Sequence, residues 1–384
     1  MKYRMITFFT IVFIVYFSAN LWLFYKGFSG IPELRKYKLI YFVSFAILSL
    51  SFIAGKILES THSSVLSDIL NITGGFWLGF LLYAVLLTVL ADITLLAIRL
   101  SGLIDPEKVT SLKRLSYILS AVVAVVLIIA GFINAITPVV RNYSISVAKD
   151  AGEITSLRIA SVSDIHLGSV IRKRSMRLLS GALEREKPDV IFLLGDIVDG
   201  DIGPVLRGDL LGYFKAPETK YGLYGITGNH EFIGGASRTI PYIESRGIRL
   251  LKDEVITLGG GIQVIGRLDR DSRGFGSGSR KPLSELVSVT DSSRPVILLD
   301  HQPFNLDETE KAGVDLQLSG HTHHGQMWPL NLITKKIYEV SHGYLKKGDT
   351  HIIVSSGFGL WGPRIRLGSR SEIVITDIQF TGAE

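Results

Sequence analysis

Three histidines lie within four residues of one another in the stretch Ser319–Gln326, which reads Ser-Gly-His-Thr-His-His-Gly-Gln. Histidine is a common metal ligand, and two imidazoles separated by one residue can face one ion from a strand end or a tight turn. The chain has 9 histidines and no cysteine, and all but one of the histidines follow position 160. This pattern indicates a metal site without sulfur ligands in the second half of the chain, and it excludes thiolate sites, a catalytic cysteine and disulfides.

Further short polar groups in this half each follow a predicted buried strand. They are Ser163-Asp-Ile-His166, Gly195-Asp-Ile-Val-Asp199, Gly228-Asn-His-Glu231 and Asp300-His-Gln-Pro303. Ligands in open α/β sheets bind outside the carboxyl ends of strands, so we expect these groups and the histidine cluster to converge on one crevice. The side chains expected there are Asp164, His166, Asp196, Asn229, His301, His321 and His323, with Asp199 nearby.

Carboxylate oxygens and imidazole nitrogens without sulfur suit manganese, iron or zinc better than a calcium cage. Seven candidate ligands exceed the need of one tetrahedral ion, so we expect two divalent ions that share a carboxylate. Two ions about 3.5–4 Å apart can clamp an in-line displacement at phosphorus. The ligand set therefore favours phosphoryl chemistry with two divalent metal ions as cofactors.

The elements that must position these groups form a predicted α/β domain of short strands and helices. An amphipathic helix is predicted over 172–187, and Pro188 follows it. The predicted strands cover 157–162, 190–194, 221–227, 296–299 and 315–318. Each strand ends directly before one of the polar groups.

The first 140 residues contain four apolar segments, at 5–25, 39–55, 72–98 and 115–140. About 20 apolar residues in a helix cross the hydrocarbon core of a bilayer. The first segment could instead be a signal peptide, but it contains Trp22 and Tyr25 and lacks a small-residue cleavage site, so we expect it to be retained. We therefore expect an all-α, four-helix transmembrane domain over 1–142 and an α/β domain over 143–384.

Lysine and arginine predict the orientation of the four segments. The loop between the first two segments and the loop between the last two carry eight of these residues, and the opposite side carries four. Because basic loops stay in the cytoplasm, we expect the α/β domain on the outer side of the cell membrane. The net charge of +6 includes no run of five like charges, so no nucleic-acid partner is expected.

The ordered polar groups resemble those of the calcineurin-like metallophosphoesterases. The groups Asp164-x-His166, Gly195-Asp196-x-x-Asp199, Gly228-Asn229-His230-Glu231, His301 and Gly320-His321-x-His323 occur in the order of that family. The chain is most similar to the membrane-bound branch, which includes bacterial phosphohydrolases of the UDP-diacylglucosamine pyrophosphatase type. The resemblance implies two mixed sheets sandwiched between helices.

The resemblance also implies a role for each ligand. Asp164, His166 and His323 would hold one ion. Asn229, His301 and His321 would hold the other, and Asp196 would bridge the two. His230 would contact the substrate phosphate and assist the leaving group.

Other residues are candidates for supporting roles. Asp199 is expected to orient a ligand, and the alternative is a solvated turn. Trp328 and Trp361 are candidates for an apolar entrance for a lipid, and ordinary packing is the alternative. Four arginines in a glycine- and serine-rich stretch are candidates for bidentate phosphate binding, with a connector carrying solvated charges as the alternative: Arg267, Arg270, Arg273 and Arg280.

The expected function is that of a membrane-anchored phosphohydrolase that uses metal-activated water to cleave phosphate esters or pyrophosphates. The expected substrate is a phosphorylated small molecule or a lipid-linked phosphate. A nuclease of the same superfamily is disfavoured because the sequence shows no basic track. A membrane receptor or scaffold that only binds ligand is expected to have lost metal ligands, and none of the seven is missing.

Overall fold

The computed structural model describes residues 2–102, 105–275 and 278–382. Gly276 and Ser277, in the glycine- and serine-rich stretch, lie outside the described residues. The chain forms two compact units: a helical unit of Met1–Ile133 with Gly362–Ile365, and a second unit of Asn134–Trp361 with Arg366–Glu384.

The helical unit contains four helices that are long and apolar enough to cross a membrane, as the sequence predicts. These spans cover Thr10–Gly30, Lys38–Thr61, Val65–Ser101 and Ser111–Ile136. The third begins with a capping box in which Ser64 and Ser67 exchange side chain–backbone hydrogen bonds. The helices described in this unit are α1 Lys2–Gly30, α2 Pro32–Lys36, α3 Lys38–Thr61, α4 Val65–Ser101 and α5 Pro106–Ile136.

Two groups of polar side chains within the spans pair with each other. Asp92 of α4 forms an ion pair with Lys26 of α1 and accepts a hydrogen bond of 2.7 Å from the hydroxyl of Tyr117 in α5. The indole of Trp77 donates to the side-chain oxygen of Asn20 at 2.9 Å. Such pairing offsets the cost of placing polar groups in a low-dielectric interior.

The fourth apolar segment is shorter as a helix than the sequence suggests. The prediction extends to residue 140, but α5 ends at Ile136 and Val139–Val147 form the first strand, β1. Pro138 lacks a backbone N–H and restricts the residue before it, which stops the helix. The expected domain boundary after residue 142 therefore falls inside a strand.

The second unit contains two mixed sheets and seven helices among its described residues. The helices are α6 Lys173–Glu186, α7 Gly203–Gly208, α8 Asn229–Ile233, α9 Ala236–Ser245, α10 Leu283–Val287, α11 Leu306–Lys311 and α12 Asn331–Ile337. The strands after β1 are β2 Ser156–Val162, β3 Val190–Leu194, β4 Leu223–Ile226, β5 Arg249–Leu250, β6 Glu254–Leu258, β7 Ile262–Gly266, β8 Val296–Leu299, β9 Leu316–Ser319, β10 Gly343–Lys347, β11 Thr350–Val354 and β12 Glu372–Phe380.

Each sheet has six strands. The first has the order β1-β12-β2-β3-β4-β5, and the second has the order β10-β11-β9-β8-β7-β6. Buried side chains of both sheets form one core that includes Ile159, Phe192, Val264, Ile297 and Leu316. This arrangement confirms the expected α/β class with two mixed sheets.

The predicted strands and helix lie within two residues of the observed ones. All five side chains of β3 are apolar and buried, as expected of a central strand with both faces covered. In α6, Met176, Leu179 and Leu183 form the buried face.

Parallel pairing sets the direction in which the site loops leave the sheets. In the first sheet β2, β3 and β4 are parallel, and in the second β7, β8 and β9 are parallel. The carboxyl ends of each parallel set therefore lie at one edge of its sheet. The loops that start there carry the candidate ligands.

Candidate metal centre

The structure brings the seven candidate ligands together at the carboxyl ends of the strands. Asp164, His166 and His323 form one group whose ligand atoms all lie within 4.8 Å of one another. Asp196, His301 and His321 form a second such group. Asn229 joins the second group, because its side-chain oxygen lies 3.0 Å from Nδ1 of His321.

In the first group two imidazole nitrogens face each other beside a carboxylate. Nε2 of His166 lies 3.0 Å from Nε2 of His323 and 3.8 Å from Oδ1 of Asp164. Nε2 of His323 lies 3.3 Å from the same carboxylate oxygen. All three side chains are buried, and such a convergence of lone pairs suits a cation.

Asp196 lies between the two groups. Its Oδ2 atom is 3.7 Å from Nε2 of His166 and 3.2 Å from Nε2 of His301. Its other oxygen accepts a hydrogen bond of 2.8 Å from the backbone N–H of His230, which fixes the carboxylate. One side chain therefore faces ligands of both groups.

The hydrogen bonds of His301 show that the site fits divalent metal ions. Nδ1 of His301 donates to the carbonyl oxygen of Leu194 at 2.6 Å, which leaves Nε2 as the ring nitrogen that faces Asp196. That Nε2 atom is buried and has no hydrogen-bond partner among the described residues. A buried polar atom without a partner is costly unless a bound ligand satisfies it. The orienting carbonyl behind the imidazole is typical of metal-binding histidines.

Backbone strain concentrates at the ligands. Five of them are non-glycine residues with positive φ: Asp164 at 54°, His166 at 50°, Asp196 at 51°, His321 at 69° and His323 at 46°. A side chain in this left-handed region costs free energy, and such residues persist where the surrounding structure holds them and cluster at functional sites. The loops therefore direct these side chains at the expense of local stability.

Two motif glycines allow the ligand loops to approach each other. A Cβ atom on Gly228 would lie 2.2 Å from Oδ1 of Asp196. A Cβ atom on Gly320 would lie 1.6 Å from the hydroxyl of Ser163 and 2.4 Å from a carboxylate oxygen of Asp164. Both glycines are thus required by close packing against the ligands.

Glu231 forms hydrogen bonds with both the loop after β3 and the loop after β4. Its buried carboxylate accepts hydrogen bonds of 3.0, 2.8, 3.0 and 2.7 Å from four backbone N–H groups, those of Asp196, Ile197, Val198 and Gly228. Burial, and then the charge of Asp196, raise the pKa of Glu231 to about 7, although the backbone donors oppose this shift. These contacts show that Glu231 positions the Asp196 loop.

The charges of the site favour bound cations. Burial would raise the pKa of Asp164, but His323 and His166 hold it well below its usual range. His301 and His230 likewise lower the pKa of Asp196 against the effect of burial. Burial and the neighbouring His301 lower the pKa of His321 to about 4. At neutral pH the carboxylates are therefore ionised, and His321 is a neutral ligand.

His230 forms a separate pair with Asp199 next to the first group. Oδ1 of Asp199 lies 3.1 Å from Nδ1 of His230 and 3.4 Å from Nδ1 of His166. The His230 ring packs edge-on against the His166 ring, with 4.6 Å between centroids. Asp199 thus contacts both the ligand His166 and the partly exposed His230.

The candidates for substrate contact differ in their positions in the structure. Arg267, Arg270 and Arg280 line one cavity, whereas the exposed Arg273 does not. Trp328 and Trp361 are 54% and 53% exposed.

Two supporting residues escaped the sequence analysis. The ring of Tyr338 lies 6.1 Å from that of His321. Arg366 is fully buried, and its Nη2 atom lies 3.3 Å from Nδ1 of His323. The same nitrogen donates to the carbonyls of Ser356, Gly357 and Gly359. In the sequence Arg366 lies between the apolar residues Ile365 and Leu367. An arginine on the surface can have the same neighbours, so this position does not predict burial.

Comparison with known proteins identifies relatives with the same class of domain. The family model described as calcineurin-like phosphoesterase matches residues 157–325. An uncharacterized metallophosphoesterase of Aquifex aeolicus is 32% identical over 246 residues, which cover 63% of this chain and 92% of the relative.

Two further relatives are longer than the region they share with this chain. An uncharacterized metallophosphoesterase of Helicobacter pylori is 34% identical, with 56% of this chain and 58% of the relative covered. The transmembrane protein with metallophosphoesterase domain of Bos taurus is 29% identical, with 66% and 60% covered. The chain thus spans less than two thirds of the length of these two proteins.

Proposed function

Because the chain belongs to the calcineurin-like metallophosphoesterases, we propose that it is a membrane-anchored phosphohydrolase that uses two divalent metal ions. Its class is that of a metal-dependent phosphoesterase. The number of ions, the substrate and the side of the membrane are parts of this proposal.

The position of Asp196 is the observation that carries the proposal for two ions. One carboxylate oxygen faces His166 of the first group at 3.7 Å and His301 of the second at 3.2 Å. Two ions about 3.5–4 Å apart can share such a carboxylate. Asp164, His166 and His323 would hold one ion, and Asn229, His301 and His321 the other.

Bound there, two divalent ions would supply positive charge for the phosphoryl oxygens and would lower the pKa of the attacking water. The protein's own contribution is to orient the substrate and move a proton. His230 would donate a proton to the leaving-group oxygen as the bond from phosphorus to that oxygen breaks and the bond to the water oxygen forms. Asp199 orients the His230 imidazole through Nδ1.

A receptor or scaffold that only binds ligand remains the alternative from another class. That alternative requires neither the close pair of His230 and Asp199 nor strained backbone at five ligands. Strained ligand loops and a carboxylate beside a histidine are features of catalytic sites. They support the enzyme over the receptor. A nuclease of the same superfamily has no comparable support.

The substrate proposed is a phosphate ester or pyrophosphate presented at a membrane surface. Helix α12 and Trp328, which lies three residues before it, expose four large apolar side chains: Trp328, Leu332, Ile333 and Ile337. Tyr338, the residue after α12, lies against the candidate ligand His321. Exposed apolar side chains beside Lys335 and Lys336 are typical of segments that contact lipid headgroups and chains.

Chain connectivity supports the same proposal. Only Thr137 and Pro138 separate the last membrane helix, α5, from strand β1 of the second unit. A tether this short raises the effective concentration of the site against lipid-linked substrates without any new contact.

The experiment that tests the activity uses full-length protein in detergent, stripped with EDTA and reloaded with manganese, iron or zinc. We expect hydrolysis of bis(4-nitrophenyl) phosphate to return with one of these metals. No turnover with any of them, together with retained binding of phosphate, would favour the receptor. For the membrane-surface substrate, Trp328→Ala with Ile333→Ala should lower turnover of lipid-linked phosphates in vesicles relative to the soluble diester.

A further inference from the structure

A cavity lies beside the loop that carries the candidate ligand His301. It has a volume of about 320 Å³, and its charged lining consists of Arg267, Arg270, Arg280, Lys281, Asp300 and Glu308. These residues come from the loops that follow β7 and β8 and from α11. The loop after β8 also carries His301, the residue after Asp300.

The positive charges of this cavity exceed the negative ones. Asp300 is shared by two arginines: Nη1 of Arg280 lies 3.1 Å from its Oδ1, and Nη1 of Arg267 lies 3.7 Å from its Oδ2. Arg267 is buried, and its Nε atom has no hydrogen-bond partner among the described residues. Burying charged donors without full pairing is costly, so this arrangement is suited to an additional anion.

Arg270 links the cavity to the metal centre. Its guanidinium stacks on the ring of Phe304 at 4.6 Å. The Phe304 ring lies 4.8 Å from that of Tyr338, which in turn lies 6.1 Å from the ring of His321. A stacked guanidinium keeps its N–H groups in its own plane, where they can bind a phosphoryl group bidentately.

A second contact fixes the cavity loop to the ligand loop. Gln302, which follows His301, donates hydrogen bonds of 3.2 and 3.1 Å to the carboxylate of Asp269. Asp269 lies between Arg267 and Arg270 in the chain and is buried. The arginines are therefore held at a fixed place relative to the second group of ligands.

From these contacts we propose that the cavity binds a second phosphoryl group of the substrate while the metal centre acts on the first. The proposal rests on the proposed phosphohydrolase function and narrows its substrates to esters with two phosphoryl groups. A diphosphate of a soluble nucleotide and a diphosphate of a lipid share this chemistry. A purely structural cluster of ion pairs is the competing explanation.

The test measures binding, so that it does not depend on turnover. Full-length protein in detergent, loaded with manganese, is titrated calorimetrically with alkane bisphosphonates of one to six methylenes and with the matching alkyl monophosphonates. We expect one chain length to bind about tenfold or more tightly than its monophosphonate, as a charge-assisted contact allows. The preferred length reports the distance between the two sites.

Arg270→Gln is the decisive variant, since Arg270 is exposed and the change leaves the core intact. It should reduce the bisphosphonate preference to about one. Arg185→Gln is the matched control, because Arg185 is an exposed arginine in the last turn of α6 and does not line the cavity. It should keep the full preference.

Two results would overturn the proposal: no bisphosphonate preference at any length, or a preference that Arg270→Gln retains. A separate assay tests the phosphohydrolase function itself. If the manganese-loaded wild type does not hydrolyse bis(4-nitrophenyl) phosphate, that function fails, whatever the binding experiment shows. If the preference is confirmed, hydrolysis of UDP-glucose is compared with hydrolysis of a lipid diphosphate in vesicles. The comparison shows whether the substrate is a soluble or a membrane-bound diphosphate.

Discussion

Oδ1 of Asp199 lies 3.1 Å from Nδ1 of His230. At this distance the carboxylate can pair with Nδ1 of the imidazole that we propose as the proton donor, which leaves its other nitrogen available for the substrate. The same carboxylate oxygen lies 3.4 Å from Nδ1 of His166. The Asp199 carboxylate therefore contacts both a proposed metal ligand and the proposed acid.

We expect Asp199→Asn to lower kcat by about 10- to 100-fold, the usual effect of removing a partner that orients a functional histidine. The loss should grow as the leaving group of an aryl phosphodiester series becomes more basic, because a poor leaving group needs the proton most. The measurement is kcat across that series.

His230→Ala provides the comparison for this variant. It should reproduce the leaving-group dependence and retain both metal ions, because the ligand atoms of both groups remain in place. A His230→Ala protein that loses its metals would show that His230 is itself a ligand. An Asp199→Asn protein with equal losses for all leaving groups would show that Asp199 does not act through proton transfer.

Glu231→Gln should destabilise the second unit. Four backbone N–H groups point at this carboxylate, and an amide offers one oxygen in place of two. Because the pKa of Glu231 is raised to about 7, the carboxylate is ionised only above that pH, where hydrogen bonds to charged groups contribute roughly 1.5–3 kcal/mol each. We therefore expect a clear drop in unfolding temperature at pH 8. Calorimetry of the metal-free protein measures it, and Glu184→Gln on the exposed face of α6 is the control. Equal unfolding temperatures for the two variants would contradict the role of Glu231.

Glu372 makes stability depend on pH. Burial raises its pKa, but His342, Ser356 and Arg141 outweigh burial and lower the pKa from 4.5 to about 2. Because the folded value is the lower one, this contribution is present above pH 4.5 and is lost as the pH falls towards 2. The shift corresponds to roughly 3 kcal/mol.

The Glu372→Gln variant isolates this contribution. Its unfolding temperature should lie below that of the wild type at pH 7, and the gap should close on acidification. Glu218→Gln, at an exposed position, should show no gap at any pH. A gap that stays constant between pH 7 and pH 3 would show that Glu372 stabilises by packing and not by charge.

The sidedness of the membrane protein is testable because the chain has no cysteine. We expect a cysteine at Ser292, an exposed position of the second unit, to react with an impermeant maleimide on intact cells. A cysteine at Ser29, at the end of α1, should react only after permeabilisation. The basis is the excess of lysine and arginine on the Ser29 side. The reverse labelling would place the phosphoesterase domain in the cytoplasm.

The sequence predicts much of the second unit because its signals are local. Val190–Leu194 is a continuous apolar run that ends at a glycine and an aspartate, and it forms β3 as expected. The positions of the candidate ligands follow from this rule, since each one comes directly after such a strand.

Features that depend on distant contacts are not visible in the sequence. The pairing of β1 with β12 joins residues more than 200 positions apart, so Val139 and Val140 read as the end of an apolar helix. The sequence offers Arg280 as a candidate for phosphate binding or as part of a solvated connector, and neither interpretation contains its pairing with Asp300. The sequence does not distinguish Glu231 from other acidic residues, because its four backbone hydrogen-bond donors are visible only in the structure.

The most direct test of the account is the metal content of Asp196→Asn. Asp196 faces His166 of one group and His301 of the other, so one substitution should weaken both sites. Elemental analysis of the purified full-length variant should show well below two metal ions per chain, with loss of phosphodiester hydrolysis, whereas we expect about two in the wild type. Unchanged occupancy of two ions in Asp196→Asn would contradict the bridging carboxylate.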